Sequence, residues 1–116
     1  MRYRKMLLVL LAGCSGLAWG HAHLQKAVPA DGATVTAPPA SIVLSFSEAA
    51  HLTACWLQKG DGPKQKIVPL PTRPSREITV PLPGRLDAGT YVLSWRVVGD
   101  DTHVVPGQIR FTVAAR

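Results

Sequence analysis

Thr90-Tyr91-Val92-Leu93-Ser94-Trp95-Arg96-Val97-Val98 is the stretch that decides the fold. Tyr91, Leu93, Trp95 and Val97 fall on one parity, and Val92, Ser94 and Arg96 fall on the other. Successive side chains of a strand point to opposite sides, so this alternation is that of a strand with one buried face. Three more segments read the same way. Ser41 to Ser47 places Ile42, Leu44 and Phe46 inward; Glu77 to Leu82 places Ile78, Val80 and Leu82 inward; Gln108 to Val113 places Ile109, Phe111 and Val113 inward. Shorter strands are expected at Leu24 to Val28, Thr53 to Lys59 and Gln65 to Val68.

Helix patterns are almost absent, and ten Pro and ten Gly punctuate the apolar runs. Turns are expected at Pro29 to Gly32, Gly60 to Pro63, Pro69 to Pro74, Pro83-Gly84 and Asp87 to Gly89. About seven short strands at this spacing predict an all-β, Greek-key antiparallel β-sandwich of the Ig-like or cupredoxin-like kind. No internal repeat or second domain is evident, and Pro69 to Ser75 reads as a Pro-rich loop.

The first twenty residues read as a secretory leader rather than as part of the fold. Arg2, Arg4 and Lys5 form a positive start, Met6 to Ala12 is apolar, and Ala18-Trp19-Gly20 has small residues at the −3 and −1 positions of a cleavage site. The organisation is then a signal peptide over 1–20 and one small domain over 21–116, exported to the periplasm. A second reading competes, because Leu11-Ala12-Gly13-Cys14 also matches a lipoprotein box, in which Cys14 would carry a lipid anchor. Three of the thirteen basic residues lie in the leader, so the net charge falls from +6 to +3 on its removal. No basic run interleaved with aromatics occurs, and nucleic acid is set aside as a partner. The domain keeps a single cysteine, Cys55, in the apolar run Leu52 to Leu57; it reads as a small buried hydrophobe, and an intrachain disulfide is ruled out.

Cleavage after Gly20 would make His21 the first residue, followed by Ala22-His23. A terminal amine has a pKa of roughly 7.7–8.0, so near neutrality it yields its proton to a metal readily. The amine and imidazole of His21 can therefore chelate one ion. Asp101-Thr102-His103 supplies a carboxylate and an imidazole at strand parity, at the loop expected to precede Pro106-Gly107. Amine, two imidazoles and a carboxylate form a nitrogen-rich tetragonal set suited to Cu(II), whereas Zn(II) prefers a tetrahedron. His23 in third place raises a second geometry through deprotonated backbone amides, at the expense of strand hydrogen bonds. The plainer readings are that Asp100-Asp101 is turn chemistry, that His51 is a surface histidine, and that Trp56 and Trp95 are core or rim aromatics.

Several stretches taken together resemble the CopC family of periplasmic copper-binding proteins: His21-Ala22-His23-Leu24, Pro29-Ala30-Asp31-Gly32, Leu44-Ser45-Phe46-Ser47-Glu48, Ala88-Gly89-Thr90-Tyr91 through Trp95-Arg96, and Asp101-Thr102-His103 to Gly107 and Phe111. The resemblance implies a cupredoxin-like β-sandwich and one Cu(II) per chain, held by His21, Asp101 and His103. Glu48 falls on a motif acid that some members place near the metal, and His23 on an auxiliary position. It also implies copper sequestration or carriage in resistance or homeostasis, and an inner-membrane copper transporter of the CopD type as partner. Some members carry a Met-rich loop for Cu(I). Here both methionines, Met1 and Met6, lie in the leader, so no Met-based Cu(I) site is expected. The reading is of a monomer that binds metal and is not an enzyme. Its alternative is a metal-free Ig-like interaction module or a lipoprotein anchored through Cys14.

Overall fold

The structure, a computed structural model, describes residues 22–115. Seven strands follow in chain order: β1 (Leu24–Val28), β2 (Thr34–Val35), β3 (Ser41–Lys59), β4 (Lys64–Lys66), β5 (Ser75–Pro81), β6 (Gly89–Val98) and β7 (Val104–Val113). There is no helix among the described residues.

The organising element is the 19-residue β3. Its first half pairs antiparallel with β1 and β5, and its second half pairs antiparallel with β4 and β6. One strand thus belongs to both layers of the sandwich and forms the corner between them. The sequence places two separate strands here, Ser41 to Ser47 and Thr53 to Lys59. The structure joins them, because Glu48-Ala49-Ala50-His51-Leu52 stays extended and carries no Gly or Pro to break it. A parity change marks the corner. Ile42, Leu44, Phe46, Ala50 and Leu52 are buried, and then Cys55 and Leu57. The switch from even to odd coincides with a register shift between Leu52 and Ala54 in the β3–β6 ladder. An extra residue at a bulge moves every later side chain to the other face, and so keeps both halves facing one core.

After β3 the chain crosses between layers. β5 returns to the first half of β3, β6 pairs with its second half, and β7 completes the hairpin with β6 in unbroken register from Gly89↔Val113 to Val98↔Val104. These connections are of the Greek-key kind. The short β2 is the exception to antiparallel pairing: Thr34 and Val35 run parallel to Thr112 and Val113 of β7. Two residues carry no readable period, which is why the sequence pattern passes over this strand.

The core is the set read from alternation. Tyr91, Leu93, Trp95 and Val97 of β6 and Ile109, Phe111 and Val113 of β7 are all buried, as are Ile78 and Val80 of β5. Tyr91 stacks on Phe111 with centroids 5.5 Å apart, and Phe46 meets Trp95 edge-on at 6.4 Å. Such pairs contribute about 0.5–1.5 kcal/mol beyond area burial. The Tyr91 hydroxyl donates to the Asp87 carbonyl at 2.7 Å, satisfying its polar end at the edge of the core. Cys55 is wholly buried in the same core, and burial pushes its thiol up to about 12, against a smaller lowering by the backbone at Trp56.

Candidate metal centre

The turn between β6 and β7 carries two of the residues singled out by sequence. It differs from expectation in extent. β7 begins at Val104 and runs through Pro106-Gly107, with Pro106 opposite Arg96, so the turn is confined to 99–103. Asp101 and His103 therefore do not meet by strand parity. Thr102 between them has φ 63°, and its amide donates to the Gly99 carbonyl at 3.1 Å. Left-handed backbone at a non-glycine residue folds the chain back, so that i and i+2 converge. The Asp101 carboxylate closes the turn: its Oδ1 accepts the His103 amide at 3.1 Å, an Asx-type bond, and its Oδ2 lies 2.9 Å from His103 Nδ1.

That second contact assigns the ring. A carboxylate only accepts, so Nδ1 carries the proton and Nε2 of the neutral imidazole carries the lone pair. His103 is exposed, with 71% of its side chain accessible against 23% for Asp101. A hydrogen bond this exposed adds little stability. Its consequence is orientation: a carboxylate on Nδ1 fixes ring angle and tautomer, as partners of metal-bound histidines do. The second lone pair on each carboxylate oxygen is suited to a cation.

The start of the domain enters beside this turn. The Ser47 amide donates to the His23 carbonyl at 2.8 Å, and the His23 amide donates to Ser47 Oγ at 2.9 Å, extending the β1–β3 ladder beyond Leu24↔Phe46. Ala22, before it, is buried. Ser47 is followed by Glu48, whose Oε2 is shielded from solvent with no hydrogen-bond partner among the described residues. Three residues on, His51 pairs with Val98, the last residue before the turn. Ser47 and His51 are four residues apart, so at roughly 3.3 Å per residue the entry of the chain and the Asp101–His103 turn reach β3 within about 13 Å of each other along the strand. They meet where β3 passes from one layer to the other.

His21 lies outside the described residues. Asp101 and His103 are brought together, His23 is pinned by its backbone with an exposed side chain, and Glu48 stands next to its anchor point. Among the described residues no three His, Cys, Asp or Glu side chains converge on one point. The described turn brings together one carboxylate and one imidazole. The role of Ser47 as the latch for the chain entry went unread in the sequence, because a serine at a strand position has no distinctive pattern. Cys55 is no ligand in this fold: it is fully buried and stays a thiol at neutral pH.

Residues 24–114 match the CopC domain family. The chain is 40% identical over 100 residues to protein YobA of Escherichia coli, covering 82% of this chain and 80% of that one. It is 36% identical over 117 residues to copper resistance protein C of Xanthomonas campestris pv. juglandis, covering 93% and 91%. Among solved structures it superposes on CopC from Methylosinus trichosporium with a TM-score of 0.68 at 28% identity, over 83% of this chain and 96% of that one. It also superposes on PcoC, a methionine-rich copper resistance protein from Escherichia coli, with a TM-score of 0.62 at 30% identity, over 80% and 98%. With its corner strand, its β6–β7 turn and nearly its whole described length matched, the chain belongs to the CopC family.

Proposed function

We propose that this protein binds one Cu(II) per chain in the periplasm and sequesters or carries it, serving copper resistance or homeostasis. Copper is its cargo rather than a catalytic cofactor, and the protein acts as a binding module, a monomer and not an enzyme. The observation that carries the reading is the turn that locks Asp101 to His103 Nδ1 at 2.9 Å, beside the strand position where the chain enters the fold.

In this account the leader over 1–20 is removed and His21 becomes the terminus of a domain over 21–116. The amine and imidazole of His21 then grip the ion from one side. Nε2 of His103 and a carboxylate oxygen of Asp101 complete the set from the turn, with Glu48 and His23 as auxiliary groups. Amine and imidazole nitrogens with one carboxylate favour Cu(II) over the softer Cu(I). Both methionines precede His21 and Cys55 is buried, so no thioether or thiolate site for Cu(I) accompanies it. The copper resistance names of its relatives support the cargo, and an inner-membrane copper transporter of the CopD type fits as the partner that takes or delivers it. Competition titration tests this. One tight Cu(II) per chain is expected, weakened strongly by His103→Ala and lost as a tight site on deletion of His21. Equal affinity in all three proteins would contradict the site.

A further inference from the structure

The outer face of the layer built from the second half of β3 with β4, β6 and β7 has a composition that the metal site does not use. The segments 54–59, 64–66, 89–98 and 104–113 contain no Asp or Glu at all. A row of outward residues crosses the four strands: Lys66 stands opposite Trp56, Trp56 opposite Ser94, and Ser94 opposite Gln108. Trp56 is only half-buried, although its strand neighbours Cys55 and Leu57 are core. Two cations lie over its ring, Lys64 Nζ at 5.9 Å and the Arg96 guanidinium at 5.3 Å from the centroid. Among the described residues neither is paired with a carboxylate. Beside them runs a groove of about 310 Å³, lined by Trp56, Lys64, Arg96 and Gln108 and floored by Gly107.

We infer that this face docks an acidic, extended segment of a protein partner. Cation–π contact holds Lys64 and Arg96 in place before binding, and the guanidinium keeps in-plane N–H donors that fit a carboxylate in bidentate fashion. Trp56 offers the apolar surface that anchors an interface, and the complementary charge steers encounter. Position adds a reason. Arg96 is opposite Pro106, three residues past His103, about 10 Å along β7 at the usual strand rise. A partner seated here would stand next to the turn that presents Asp101 and His103. Its identity as a copper donor or acceptor rests on the function proposed above; the binding of an acidic segment does not.

The test uses the chain from His21 and two synthetic probes, an acetylated hexaglutamate and its hexaglutamine analogue, with the Trp56 indole N–H and the backbone amide signals followed by NMR. Hexaglutamate should shift the Trp56 signal saturably at low salt and lose its effect at about 0.3 M salt, where charges are screened beyond a few ångströms. Trp95 also lines the groove, so the backbone amides of β1 and β5, in the other layer, serve as the unshifted internal reference. Arg96→Glu and Lys64→Glu, the latter an exposed residue of the three-residue edge strand β4, should each weaken binding about tenfold. Cu(II) affinity should be unchanged in both variants, so this face and the metal site fail independently. The inference is overturned by the absence of a shift, by an equal shift with hexaglutamine, or by undiminished affinity in both charge-reversed variants. Arg96-dependent binding to phosphatidylglycerol vesicles without binding of hexaglutamate would overturn it too, in favour of a membrane surface.

Discussion

Asp101 makes two bonds to the same neighbour, and they are separable. Its Oδ1 builds the turn by accepting the His103 amide, and its Oδ2 holds the imidazole. Asparagine can accept the amide equally well but offers no anionic oxygen to a cation or to Nδ1–H. Asp101→Asn should therefore leave the stability of the metal-free protein within about 0.5 kcal/mol, as for a surface change outside the core. Cu(II) affinity should fall about 10–100-fold. Denaturant unfolding and competition titration on the same samples check the pair of outcomes; a stability loss without an affinity loss would make Asp101 a turn former only. Cys55 gives a second prediction at this scale. Its folded thiol is raised to about 12 from 9.0, and Tyr91 is raised too, by burial and then by the Asp87 carboxylate. Each group holds its proton in the fold at a pH where the unfolded chain has lost it. Stability is therefore full below about pH 9 and falls as pH rises toward 12, by up to about 1.4 kcal/mol per pH unit from Cys55, with Tyr91 acting in the same direction. Unfolding midpoints at pH 7 and pH 10.5 should differ in that direction, and Cys55 should resist thiol reagents until the protein unfolds. The sequence disclosed Asp101, His103 and Cys55 by residue type and spacing. It misattributed how the first two meet, because a left-handed Thr102 has no signature in composition.

The corner strand and the hairpin that leans on it set the geometry of the site. Alternation along β6 and β7 was legible directly, since both strands bury one face and expose the other. Two features of the elements were not. Continuity of β3 through 48–52 leaves no pattern because a bulge resets parity, and the reset itself looks like a gap between two strands. The run of β7 through Pro106-Gly107 was hidden because both residues ordinarily signal turns. Their acceptance has a visible cause. Pro106 lies in a stretch of β7 that pairs on one side with β6, and a Cβ on Gly107 would come within 2.6 Å of the Trp95 indole. The glycine is there so that the indole can lie on the backbone. Gly107→Ala must displace the buried Trp95 indole, and should cost about 1–3 kcal/mol. Chemical denaturation measures the loss, and an unchanged midpoint would show that Trp95 moves without resistance. Because Trp95 precedes the turn by only a few residues, the same variant should also loosen Cu(II) binding slightly.

For the whole molecule, one core is shared by two layers, and the layers meet at the position where the chain enters and where β3 changes partners. This brings the chain entry and the candidate Asp101–His103 pair to one end of the sandwich, with the cationic face around Trp56 alongside. The all-β class, the core and the candidate residues of the turn were readable from 116 residues. The spatial meeting of the chain entry with the β6–β7 turn was not, because it depends on pairings between segments far apart in sequence. Processing is the remaining condition at this scale. Intact mass of the exported protein should correspond to a chain beginning at His21; a diacylated product beginning at Cys14 would deny the site its terminal amine. The most direct test compares Cu(II) binding and the electron paramagnetic resonance spectrum of the chain beginning at His21 with those of the same chain carrying one extra glycine before His21. The extra residue displaces the amine from the imidazole of His21 while changing nothing in the fold. The account predicts a single tetragonal, nitrogen-rich Cu(II) signal in the first protein, and an affinity lower by more than about 100-fold with an altered spectrum in the second. Identical affinities and spectra would contradict it.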